Sequence, residues 1–177
     1  MDVKNKETIM ALFNQVDELD NTDKSAIKRA YRIPFQELGW KQQAILYRLA
    51  GEYISSEWER SLFMDMMAIY IGQNCSDGKP FESFLAELYK NSPESEKNRI
   101  GYMMDEANYW VRKNAILKYL RRMGKKEPVD IVKLTYDILN WNSETKAEWT
   151  KTILGIKDEK QRNVTKNTTT NNQEEKK

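Results

Sequence analysis

Four cations crowd the stretch 18-ELDNTDKSAIKRAYR-32: Lys24, Lys28, Arg29 and Arg32 follow Asp23 with no further acid among them. On a helix turning about 100° per residue, Lys24, Lys28 and Arg32 stack at i, i+4 and i+8, with Arg29 beside them. Ile27, Ala30 and Tyr31 fall on the other side. The spacing predicts a helix with one apolar face and one purely cationic face. The chemistry open to such a face is contact with phosphate; the plainer alternative is a solvated basic surface. A second acid-free strip, 110-WVRKNAILKYLRRMGKK-126, carries seven cations. Ile116, Tyr119, Leu120 and Met123 form its expected buried stripe, and Lys118, Arg121, Arg122 and Lys125 the exposed one. The chain as a whole has a net charge of only +2. Two cationic strips in a nearly neutral chain mean segregated charge, which suits a groove that follows a nucleic-acid backbone.

Other chemistries find little material. The chain has no histidine and one cysteine, Cys75, which excludes Ser-His-Asp and Cys-His catalysis, His-ligated metals and Cys-cluster zinc or iron–sulfur sites. An intramolecular disulfide is impossible, and a reducing compartment fits. Cys75 itself reads as an incidental loop thiol, with no base beside it. Asp105-Glu106 and Asp158-Glu159 are adjacent carboxylates, but helix neighbours diverge, so support for a two-metal nuclease is weak. There is no glycine-rich phosphate loop. The methionines of 62-LFMDMMAI-69 read as adaptable core filler. Trp58, Trp110, Trp141 and Trp149 read as core at helical spacing, as do Tyr47, Tyr53 and Tyr102. Trp40, in an expected loop after Gly39, is the aromatic expected to be exposed. The polar N-terminus is no secretory signal, and no apolar run approaches the ~20 residues of a membrane helix. The chain reads as cytoplasmic.

The elements that must position these strips are helices. The chain has 177 residues, is 40% hydrophobic and 32% charged, and contains only seven Gly and four Pro. No segment sustains period-2 alternation. Helices are expected at 6–19, 23–32 (N-capped by Thr22 or Asp23 and ended by Pro34), 42–55, 57–73, 81–90, 94–108, 109–124, 128–141 and 143–154, the last N-capped by Ser143. The breaker 74-NCSDGKP-80 marks a boundary between an N-terminal helical domain, 1–74, and a C-terminal helical bundle, 79–156. The Asn/Thr/Lys-rich segment 157–177 is expected to be a disordered polar tail. The fold class is all-α: two small helical-bundle domains packed together.

Three ordered blocks bear a likeness. The first, 19-LDNTDKSAIKRA-30, has Leu-Asp, a spacer and a basic helix. The second, 81-FESFLAELYKNSPESEKNRIGYMMDEANYW-110, has a short helix, an Asn/Ser joint and an Arg-led apolar helix. The third, 117-LKYLRRMGKKEPVDIVKLTYDILNW-141, has a Leu-Arg-Arg helix, a Pro-Val-Asp turn and a Leu-x-x-Asp-Ile-Leu-x-Trp run. With Trp149 in the last helix, the set spans roughly residues 8–155 and resembles the CasB family, the small subunit of the type I-E CRISPR surveillance complex Cascade. The resemblance implies a non-catalytic, cofactor-free, two-domain helical protein. Two copies would lie head to tail, touching the backbone and large subunits, the guide RNA, the target DNA and the displaced strand. Lys28 and Arg29 match the family's paired basic residues in the early helix, and Arg121 and Arg122 the Arg pair before the Pro-Val-Asp turn. Arg60 lies near the basic position after the middle Trp, and Arg99 opens the apolar helix. The family carries basic residues after its counterpart of Trp141; 142-NSETK-146 offers only Lys146.

The nucleic-acid set read from the sequence is therefore Lys24, Lys28, Arg29, Arg32, Arg60, Lys118, Arg121, Arg122 and Lys125, with no metal site. The rivals are a helical protein–protein adaptor whose basic faces meet an acidic partner, and a nuclease built on Asp65, Asp105 or Glu106.

Overall fold

In the computed structural model, residues 5–51, 53–73, 78–123 and 128–156 are described. They form an all-α fold of nine α-helices and one short 3-10 turn, with no strand among the described residues. The Lys125 and Cys75 expectations, and that of a disordered tail, lie outside the described residues.

The first helix, α1 (Lys6–Asp17), starts where the Asn5 side chain accepts from the Glu7 amide, and buries Ile9, Leu12, Phe13 and Val16 at the expected i, i+3, i+4, i+7 spacing. The second, α2 (Asn21–Arg29), is shorter than expected at its C-terminal end and starts earlier. Its N-cap is Asp20, not Thr22 or Asp23: the Asp20 carboxylate accepts from the Asp23 amide at 2.7 Å. The Asp23 side chain is thereby left to accept from Arg48 and pair with Lys41, both on α3 (Trp40–Ala50). Those two cations hold the Asp23 carboxyl below the usual carboxylate range. Between α2 and α3 a 3-10 turn, Phe35–Glu37, buries Phe35.

The central element is α4 (Glu57–Gln73). It is buried almost all round from Ser61 to Ala68, as its apolar composition requires, and Met64, Met66 and Met67 fill core space as expected. Helices α1, α2, α7 (Tyr109–Met123) and α8 (Ile131–Leu139) surround it. Helices α5 (Phe81–Asn91), α6 (Glu94–Asp105) and α9 (Ser143–Leu154) complete the chain, α5 packing on α6 and most extensively on α9. The N-cap of α9 is Asn142 rather than Ser143, its side chain accepting from the amides of residues 144 and 145. Trp149 of α9 is fully buried against Phe81 and Trp141, and its indole N–H donates to Asp137 at 2.8 Å.

One contiguous core runs through the segments on both sides of residues 74–77, because α1 and α4 pack on α8. The α4–α5 and α7–α8 joints are also tied directly. The Lys79 amide donates to the Pro128 carbonyl and the Asp130 amide to the Lys79 carbonyl, each at 2.9 Å. A Cβ on Gly78 would lie 2.0 Å from the Val129 carbonyl carbon, so this close approach admits only glycine.

Two cations of the second strip, Arg112 and Lys113, point inward. Lys113 and Asp65 are almost fully enclosed and paired at 2.7 Å, with the Lys113 ammonium also donating to the Ser61 hydroxyl at 2.8 Å. The other Asp65 oxygen accepts from the Arg32 amide at 2.6 Å. Removing one member of such a pair strands the other charge in the core. Lys113→Met should lower stability by about 3–5 kcal/mol, read from the urea-unfolding midpoint, and adding Asp65→Leu should restore part of it. A loss below about 1 kcal/mol would mean the pair is hydrated in solution.

Candidate nucleic-acid interface

The apolar stripe of α2 turns Ala26 and Ile27 into the core, which leaves Lys28 and Arg29 exposed in its last turn. Both also lie where a helix C-terminus favours positive charge. Lys24 is half-buried, and its ammonium donates to the Asp17 carbonyl at 2.7 Å, closing the end of α1. Arg32 does not continue the stack. The helix ends at Arg29, and Arg32 takes the left-handed conformation, φ 63°, as its amide turns to Asp65. Tyr31 is half-buried; burial and the nearby Asp65 carboxylate push its hydroxyl pKa up, against the opposing charges of Arg32 and Arg121.

On α7 the expected buried stripe holds: Ile116, Tyr119 and Leu120 are buried and Met123 packs on the core. Lys118, Arg121 and Arg122 are exposed, but they are not equivalent. Arg122 pairs with Glu96 of α6 and lies 5.4 Å above the Tyr119 ring. Glu96 also takes Arg99 at 3.2 Å. Arg122 is the main reason the Glu96 carboxyl sits below its ordinary pKa, while burial and Glu96 push the Tyr119 hydroxyl up to about 12. Lys118 and Arg121 make no hydrogen bond or ion pair among the described residues.

The two strips meet. Lys28 of α2 and Arg121 of α7 both line one open cleft of about 280 Å³, with Ala68, Ile69 and Gly72 of α4 and Leu120 of α7 among its apolar lining. Tyr31 and Gln73 complete its rim. Arg60 lies elsewhere, roughly two turns nearer the start of α4. Its guanidinium stacks over Phe35 and Tyr47 and donates to the Ser55 carbonyl at 3.3 Å, so it holds the 3-10 turn and α3 on α4.

Several inward cations escape a sequence reading. Besides Lys113, Arg112 is buried between the rings of Tyr109 and Trp141, with one nitrogen donating to the Glu106 carbonyl at 2.5 Å; burial lowers its pKa. The signal for Lys113 was Asp65, the lone charge in the apolar run 62-LFMDMMAI-69, which demands a buried partner. The aromatics divide differently from expectation. Trp149 is core, and Trp58, Trp141 and Tyr53 pack partly buried against it. Trp110, Tyr47 and Tyr102 are surface residues, Tyr102 at 75% exposure, because helical spacing alone does not say which face a neighbour covers. Trp40 is 84% exposed, as expected, although it opens α3 rather than lying in a loop.

The residues named for a nuclease stand apart. Asp65 is enclosed by Lys113, and Asp105 pairs with Lys146. Among the described residues no group of three or more His, Cys, Asp or Glu side chains is placed to hold a metal ion, and no helix is long and apolar enough to cross a membrane. No protein-family model, curated protein or solved structure matches the chain.

The Glu96 geometry fixes a pH response. A carboxyl whose folded pKa is depressed contributes stability that is full above its unfolded value and fades as pH falls through the folded one. The difference in Tm between wild type and Glu96→Gln should therefore be widest near neutrality and shrink below pH 4.5, the ordinary value for this group. Thermal scans of both proteins across that range check it; a constant difference would mean that Arg122 and Glu96 do not pair in solution.

Proposed function

We propose that this chain is a non-catalytic small subunit of a type I-E CRISPR surveillance complex. It binds the backbones of target DNA and guide RNA through basic helix faces and steadies the displaced strand of an R-loop. One observation carries the reading: Lys28 and Arg121, from the first and third blocks of the resemblance, converge on a single cleft with no acid among its described lining residues. R-loop formation exchanges one duplex for another of nearly equal stability, so a few backbone contacts can tip it. The reading places the chain in the cytoplasm with the backbone and large subunits and a second copy of itself as partners, and it calls for no cofactor.

The decisive experiment is a tagged purification from the native host at moderate salt, with bound RNA sequenced and partners identified. Short RNAs sharing a repeat-derived handle, together with several stoichiometric proteins, are the expected result. Co-purification of an acidic protein without nucleic acid would replace this reading with the adaptor. The residues are tested separately. Lys28→Glu with Arg121→Glu should weaken binding to labelled DNA and flatten the salt dependence by just under two units of slope. Arg122→Glu should change the slope far less, since Glu96 already engages that side chain. Equal effects from Arg121 and Arg122 would contradict the assignment.

A further inference from the structure

The cleft between Lys28 and Arg121 is not shaped like a simple phosphate track. Here the two cations line an open concavity whose remaining lining is largely apolar. Its floor is the last part of α4, where Ala68, Ile69 and Gly72 follow one another at helical spacing. At Gly72 the floor has no side chain, and a Cβ built there meets nothing within 4 Å. The opposite helix contributes Leu120, also apolar. The volume, about 280 Å³, lies just below the ~300 Å³ at which pockets for small organic ligands begin, so it has room for one flat group and no more. Lys28 and Arg121 carry no hydrogen bond or ion pair among the described residues, and Tyr31 and Gln73 bring a hydroxyl and an amide to the rim.

An apolar floor beneath two free cations matches a group that is flat and uncharged at one end and anionic at the other. We propose that the cleft takes one nucleotide of a single strand, the base lying on the Ile69–Gly72 floor and its phosphate bridging Lys28 and Arg121. This inference rests on the nucleic-acid reading above and adds to its backbone contacts a seat for one base of the strand. Bases in a duplex are paired and stacked, and would have to be extruded to reach such a floor; in a single strand they are already free to do so. Apolar contact with a base face is tolerant of sequence, because every base has one. The cleft therefore selects strandedness rather than sequence.

The test measures equilibrium binding of three labelled probes by fluorescence anisotropy: an oligothymidylate strand, an abasic strand of the same length and a duplex. Wild type is compared with Gly72→Leu, which fills the hollow from an exposed helical position and should leave the unfolding midpoint no lower than wild type. Gly72→Leu should bind the thymidylate strand about tenfold more weakly and leave the abasic strand and duplex unchanged. Arg121→Gln should weaken all three, because it removes a phosphate contact. If wild type binds the abasic strand as tightly as thymidylate, and Gly72→Leu alters neither, the cations hold backbone only; single-base capture then fails while nucleic-acid binding stands. If wild type binds none of the three probes, the nucleic-acid reading itself fails.

Discussion

The carboxylate of Asp65 is the constraint on which the arrangement of helices depends. It sits in the middle of α4 with almost no exposure, where an isolated charge would be untenable. Lys113 of α7 satisfies one oxygen and the Arg32 amide the other, and Ser61 takes a further proton of the ammonium. Three separate stretches of chain are thus tied to one point. The geometry is specific in a way that an apolar contact is not, since charge-assisted bonds are short and directional. It also explains Arg32, whose left-handed backbone is uncommon for a residue with a side chain. The bond to a buried carboxylate offsets that strain, and the turn it forms ends the cationic helix before Arg32 can extend it. The same tie fixes α2 and α7 on either side of α4, and so fixes the separation of Lys28 from Arg121.

Cations in this protein fall into two populations. Lys24, Arg60, Arg112, Lys113 and Arg122 close helix ends, stack on rings or neutralise acids from other elements. Lys41 and Arg48 do the same for Asp23, and Lys133 for Glu82 and Asp137; for Lys133, burial alone would lower the pKa, but the two carboxylates reverse it. Among the described residues of the two strips, the cationic side chains left without a hydrogen bond or ion pair are Lys28, Arg29, Arg32, Lys118 and Arg121. Counting charges along a strip therefore overstates the field outside it. The acids that consume the rest, Glu96 and Asp65 above all, come from helices distant in sequence.

That distance is why the fold was more legible than the site. Helix faces are local facts: the spacing of Ile9, Leu12, Phe13 and Val16 gives the buried stripe of α1, and that of Ile116, Tyr119 and Leu120 gives α7. The breaker before Pro80 is likewise local, though the reason for Gly78, its contact with Val129, is not. The end of α2 could not be read locally, because the atom that ends it belongs to Asp65. Nor could the pairing of Arg122 with Glu96, or the exposure of Tyr102, which depends on which neighbours α6 has. The cap of α2 was readable but ambiguous: Asp20, Thr22 and Asp23 are all good capping residues, and the winner was decided when Lys41 and Arg48 claimed Asp23.

The number of free cations on the described part of the two strips bears on the proposed role. If Lys28, Arg29, Arg32, Lys118 and Arg121 each neutralise one phosphate, the described part of the two strips contributes about four to five units of salt slope. On the proposed reading, such a surface binds DNA measurably but weakly on its own. It becomes effective when another component already holds the nucleic acid nearby, because the contact is then made at a high effective concentration and needs little intrinsic affinity. The contacts sit on helices fixed by a shared core, so little ordering is lost on binding. They also carry no sequence information of their own. On the proposed reading, a rigid, weakly binding, sequence-blind surface suits an accessory subunit, because base pairing elsewhere in the assembly supplies the specificity.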